Sequence, residues 1–160
     1  EGDTLVLESI GRVQDREITV SYPKKTEFEE ASVDVVAGTV NLDDNFYAKK
    51  LEVSVAAGEF TNDSTITAEK TELTVGTGNI DLENLKVQNL EADCGIGNID
   101  LGIDGKEKDY DYEISCAAGA IDIGDSSFSG LGHEKKISNP GSSGKMTFDC
   151  GVGNITVDFE

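Results

Sequence analysis

Residues 93–101, Asp-Cys-Gly-Ile-Gly-Asn-Ile-Asp-Leu, gather most of the side-chain types in this chain that could do chemistry. A Gly-x-Gly turn, an amide, a carboxylate and a thiol lie together, and three chemistries use such a set. A dinucleotide loop needs a third glycine, as G-x-G-x-x-G, opening a helix whose N-terminus faces the phosphate. Here the third position is Asp100, strand-type residues follow at once, and no Walker lysine is present. Phosphate binding is excluded. The calcium-binding nonapeptide G-G-x-G-x-D-x-U-x is closer. However, Asp100 comes one residue late, between inward-facing Ile99 and Leu101, and the chain's period is not that of paired nonapeptides. What remains of the calcium idea is a row: Asp81, Asp100 and Asp122 recur at one outward position, expected on successive coils about 4.8 Å apart. Like charges so placed repel unless something screens them. A solvated acidic face is the expectation, and no residue is assigned as a metal ligand.

The thiols Cys94, Cys116 and Cys150 occupy the slot that Val35, Val55 and Val75 fill earlier, so they are expected to face the core as free thiols. No C-x-x-C or histidine partner supports metal ligation. The only histidine, His133, stands in a Gly- and Ser-rich stretch with no G-x-S-x-G beside it. Paired acids carry no weight on so acidic a chain. The two arginines, Arg12 and Arg16, cluster near the N-terminus, unlike the groove bases of polysaccharide-cleaving β-helices. The reading is therefore non-enzymatic, with no catalytic or cofactor-binding residue and no cofactor.

The elements that position these residues are repeats. "FYAKKLEVSVAAGEFTN" (46–62), "ITAEKTELTVGTGNIDL" (66–82) and "LKVQNLEADCGIGNIDL" (85–101) align without a gap. "YDYEISCAAGAIDI" (110–123) and "GKMTFDCGVGNITV" (144–157) join by their second halves, and "FEEASVDVVAGTVNL" (28–42) precedes them. Gly38, Gly58, Gly78, Gly97, Gly119 and Gly153 punctuate the units at spacings of 20, 20, 19, 22 and 34. Within a unit the apolar residues alternate as in short strands, and a unit that small buries its apolar face only by stacking on its neighbours. This predicts an all-β, single-stranded parallel β-helix of roughly six coils of about 20 residues; an antiparallel β-sandwich is the alternative. Equivalent residues then form ladders, such as Val40, Phe60, Ile80, Ile99, Ile121 and Ile155, each buried side chain stabilising by roughly 1.5–3 kcal/mol. The whole chain, 1–160, reads as one domain. Residues 1–25 are expected to be capping strands, 26–123 regular coils, 124–145 a loop insertion and 146–160 the last coil. Glycines at the corners are expected to supply backbone angles that other residues resist.

The net charge of −19 repels nucleic acid and anionic lipid, so neither is an expected partner. No apolar run approaches the length of a membrane span, and direct membrane insertion is not expected.

"ITVSYP" (18–23), "FEEASVDVVAGTVNL", the repeated Gly-x-Ile-x-Leu units and the final "GVGNITVDF" resemble the bacterial β-strand-repeat family of unknown function that carries an adhesin label. The resemblance implies an extracytoplasmic, envelope or surface domain, anchored by a segment outside this chain, that binds a protein or glycan. A regulatory ectodomain of an envelope-stress or signalling membrane protein is a second expectation. Self-assembly through coil ends is a third, motivated by a C-terminal strand, "ITVDFE", with no evident cap.

Overall fold

The computed structural model describes residues 18–129 and 131–160, and they form an all-β structure. Runs rich in Val, Ile and Thr become strands whose side chains alternate between core and surface, as the period-2 pattern requires. The strands are β1 (Glu27–Val35), β2 (Thr39–Leu42), β3 (Phe46–Val55), β4 (Glu59–Val75), β5 (Asn79–Cys94), β6 (Asn98–Ile103), β7 (Tyr110–Cys116), β8 (Ala120–Ile123), β9 (Ser126–Ser129), β10 (His133–Ile137), β11 (Gly144–Cys150) and β12 (Asn154–Phe159). Together they make one 12-stranded sheet. Every pairing is parallel except β7 with β10 and β8 with β9.

The first four repeats stack in chain order with equivalent residues in register. Val35 pairs Val55, Val55 pairs Val75, and Val75 pairs Cys94. The core is a set of such ladders, with Leu51, Val53, Phe60, Ile66, Ile80 and Leu85 all inaccessible to solvent.

Beyond the fourth repeat, stacking order and chain order part. The segment expected to end the stack, 146–160, lies inside it: β11 pairs both β5 and β7, and β12 pairs both β6 and β8. The spatial order is therefore repeat four (85–103), repeat six (144–159), then repeat five (110–123). The C-terminal strand is paired on both edges, which removes the observation behind self-assembly through it. The stretch 124–145 is also not a plain loop. It forms β9, antiparallel on β8, and β10, antiparallel on β7, so the far side of repeat five is covered by the chain that follows it. Phe128, on β9, is buried opposite Ile121 and continues the isoleucine ladder. The charged β10, His-Glu-Lys-Lys-Ile, leaves an edge that discourages further pairing.

The capping strands expected over 1–25 fall mostly on residues 1–17, which lie outside the described residues. Residues 18–25 carry no strand, and Tyr22 packs edge-on against Phe28 and Phe46.

Corner glycines act by close approach more than by backbone angle. A Cβ on Gly97 would stand 1.9 Å from the Gly78 carbonyl oxygen, and one on Gly153 would stand 2.1 Å from that of Gly97. Gly38, Gly58, Gly78, Gly97, Gly153 and Gly119 form one column, each after the first set against the backbone of the one before it. Within the column only the terminal Gly38 has positive φ, at 119°. The expectation that these corners need special angles is corrected to one of space.

Candidate functional site

Within the long strands the register between neighbouring repeats shifts by one residue, Asn62–Thr65 standing against Leu82–Asn84 and Leu82–Leu85 against Leu101–Ile103, and these irregular places form the corners on this side. The tightening is possible because Gly102 sits where a Cβ would stand 2.1 Å from the Glu83 carbonyl oxygen. Polar side chains hold the wider corners. The Thr65 backbone N–H donates to Asn45 Oδ1 at 3.1 Å, Ser64 Oγ donates to the Asp43 carbonyl at 2.9 Å, and buried Asn62 donates through Nδ2 to the Leu42 carbonyl at 3.0 Å.

These stacked corners form an open groove of about 580 Å³. Its acidic lining is Asp63, Asp81, Glu83, Asp100, Asp158 and Glu160, joined by Asn45, Ser64, Thr65 and Asn84. Among the described residues that line it, none is basic. Partial burial, together with the neighbouring charges of Asp100, Asp63 and Glu59, holds the Asp81 carboxyl above its usual range.

The outward aspartate row is only partly as expected. Asp81 and Asp100 are direct cross-strand neighbours, but Thr156 stands between Asp100 and Asp122 because repeat six is inserted there. Three stacked carboxylates therefore become two, with Asp122 set apart opposite Thr156 and Ser127. Among the described residues, no group of three or more His, Cys, Asp or Glu side chains is arranged to hold a metal ion.

The same insertion creates neighbours that the repeat pattern did not single out. Asp93 lies beside Asp149, and burial, Glu91 and Asp149 push its carboxyl upward. Asn154 donates through Nδ2 to Asn98 Oδ1, and Asn98 donates in turn to Asn79 Oδ1, each at 3.1 Å. The legible signal was the likeness of "DCGIGNI" (93–99) to "DCGVGNI" (149–155), closer than that of either to 115–121. Residues that ladder together profit from being alike.

The thiols also change neighbours, to the order Cys94, Cys150, Cys116. All three are free and buried. Cys94 and Cys150 donate to the carbonyls of Gly97 and Gly153 at 3.0 Å. Burial, reinforced by the flanking Cys94 and Cys116, pushes the Cys150 thiol up to about 12, so it stays protonated and unreactive at neutral pH. His133 lies exposed on β10, its ring 6.0 Å from that of Phe128.

Away from the groove, the corner turns carry an uncharged row of Ala57, Thr77, Ile96, Val152 and Ala118, with Ile96 and Val152 exposed. A contrasting ionic patch runs across the strands: Lys50 bridges Glu30, Glu52 and Glu72, and Glu113 is shared by Lys136 and Lys145. No helix among the described residues is long and apolar enough to cross a membrane.

Neither a curated protein nor a solved structure matches this chain. A family match does exist, over residues 3–132, which takes in the first five repeats and stops short of the inserted sixth. With most of its length so matched, the chain belongs to the Toastrack DUF4097 family, a β-repeat-like domain of unknown function.

Proposed function

We propose that this protein is a non-enzymatic binding scaffold of the cell envelope or surface, a single-stranded parallel β-helix of about six coils whose ligand-facing side is the acidic groove. The observation that carries this reading is the groove itself: six carboxylates along stacked corners with no lysine or arginine among the described residues of the lining. Elsewhere some acids do have basic neighbours, as Glu52 has Lys50 and Glu113 has Lys136 and Lys145. A rigid, regularly spaced acidic face is suited to a ligand that presents several positive or hydrogen-bond-donating groups at once, whether on a protein or a glycan. Each contact is weak when exposed, and repetition supplies the strength.

The test is an array of glycans and surface or matrix proteins, probed with the full chain and with a chain carrying Asp81→Asn and Asp100→Asn. Retention of a ligand by the former, weakened by salt and lost in the latter, is the expected result. Binding unaffected by both substitutions would place the ligand elsewhere, and an array with no retained ligand would remove the scaffold reading.

A further inference from the structure

Among the described residues, repeat six is the one place where stacking departs from chain order. Repeat five has no strand partner in the first four repeats: β7 pairs β10 and β11, and β8 pairs β9 and β12. All its strand pairing to the rest of the stack passes through residues 144–159. Yet repeats four and five present matching faces to the unit between them. Leu90, Ala92, Cys94, Ile99 and Leu101 meet Met146, Phe148, Cys150, Ile155 and Val157. The same five residues of repeat six meet Tyr112, Ile114, Cys116, Ile121 and Ile123 on the other side, with no shift of register. Register between parallel strands is set by coincidence of their inward sets, and those of repeats four and five coincide with each other as well as with repeat six. The glycine column matches too, since Gly97 and Gly119 both abut Gly153. The connections on either side of repeat five contain the short 3₁₀ turn Glu107–Asp109 after Gly105 on one side, and Pro140 with Gly141 (φ 86°) on the other.

We propose that residues 144–160 are an insertion element, and that the fold has a second packing in which repeat five stacks directly on repeat four, in chain order, with repeat six expelled. The inserted packing is the ground state, because Met146, Phe148, Cys150, Ile155 and Val157 are all inaccessible to solvent in it. Expulsion exposes those five side chains and both edges of β11 and β12, so the expelled state is minor. It is reached during folding, or when another surface captures the segment. Two packings of one sequence that differ by a single inserted strand pair are a known form of conformational switch. This device does not depend on what the groove binds.

The thiols report which packing is present. In the inserted state Cys94 and Cys116 are two strand spacings apart, about 9.6 Å between Cα atoms, beyond the roughly 7 Å that a disulfide can span. In the expelled state they are one spacing apart, about 4.8 Å, within reach. The full chain carrying Cys150→Val, the residue type used at 35, 55 and 75 of this ladder, is incubated in native buffer with oxidised glutathione, and the 94–116 link is followed by peptide mass mapping. The control is the full chain carrying Val55→Cys, Cys116→Val and Cys150→Val. Its two thiols stand two spacings apart in both packings, so they link only through wider unfolding. The expected result is an intramolecular 94–116 link forming about tenfold or more faster than the control link, because local opening precedes global unfolding. Equal rates overturn the proposal, as does a link found only between two molecules. If Cys150→Val abolishes cooperative thermal unfolding, Cys150→Ala, which removes volume instead of reshaping it, replaces it in both chains.

Discussion

Repeats two to four and repeats five and six are built from the same pattern and assembled in different ways. Between residues 46 and 103, each unit packs on the one made before it, and the 19- to 20-residue spacing converts directly into strand pairing. Between residues 110 and 160, the later unit slides beneath the earlier one, and the 22- and 34-residue spacings carry the extra chain that permits this. The difference teaches that a repeat specifies which residues are equivalent without specifying which are adjacent. Ladder positions are interchangeable to first order, since any valine, isoleucine or cysteine of the row fits beside any other. Adjacency is decided by smaller terms: shape at the glycine column, amide pairing at the corner and a cover for the last edge.

The largest effect should come from the inserted unit. Phe148→Ala empties a fully buried site held between two repeats and is expected to cost about 3–5 kcal/mol, read as the shift in a urea midpoint. Phe60→Ala in the regular half should cost a similar amount, but only Phe148→Ala should also speed labelling of Cys94 and Cys116 on either side. If labelling is equally slow in both variants, repeat six is not what joins the two halves.

Next comes the glycine column. Gly153→Ala drives a methyl group against the Gly97 carbonyl oxygen and Cys94 Sγ, and repeat six must move away from repeat four. The expected cost is about 3 kcal/mol. Gly105→Ala, whose new methyl would meet nothing closer than 3.3 Å, should cost far less by the same thermal-melting comparison.

Amide pairing separates the two stacking orders most directly. Asn154→Ala removes the donor to Asn98 and should cost about 1 kcal/mol. With chain-order stacking Asn98 would sit beside Ala120, and the same substitution would leave its hydrogen bonding untouched. No change in stability, together with an unshifted Asn98 side-chain amide resonance, would contradict the inserted arrangement.

The smallest effects are those of pH, and they run in opposite directions in the two kinds of surface. Asp81 and Asp93 are held above their usual carboxylate range by burial and like charges, so their ionisation opposes folding. That cost is fully present above their raised folded values and disappears as pH falls toward the ordinary value. Stability should therefore rise on mild acidification from neutral pH. Glu72 and Glu113 are held below the usual range by hydrogen bonds, from Lys70 to the first and from Lys136 and Lys145 to the second. Their contribution is present above the ordinary carboxylate value and lost as pH falls through the depressed folded values. The expected profile climbs and then drops, with Asp149→Asn flattening the climb by relieving Asp93. A profile that falls monotonically from neutral pH would show that the like-charge rows carry no cost.

Much of the fold was legible in the residues. Alternating Val, Ile and Thr announced strands, the gap-free match of 46–62, 66–82 and 85–101 announced stacking, and the shared slot of Cys94, Cys116 and Cys150 announced buried thiols. The acidic corner was less legible. Asp81 and Asp100 were visible as a row, but Asp63 and Glu83 lie where the register shifts by a residue between neighbouring repeats, and Asp158 and Glu160 join them only because repeat six is inserted beside repeat four. The stretch 124–145 read as a loop because its strands are short, serine-rich or charged, and such segments pair only when an unfilled edge is available.

By itself, the sequence determined the local elements, the inward and outward faces, and the equivalence of ladder positions, because these depend on alternation and on period within each repeat. The tertiary structure alone decided the order of the last two units, the separation of Asp122 from Asp100, and the meeting of Asp93 with Asp149 and of Asn98 with Asn154. The physical reason is degeneracy. Repeats with matching faces leave several stackings nearly equal in hydrophobic burial, so the choice rests on close backbone contacts and amide pairs that exist only once the units have met.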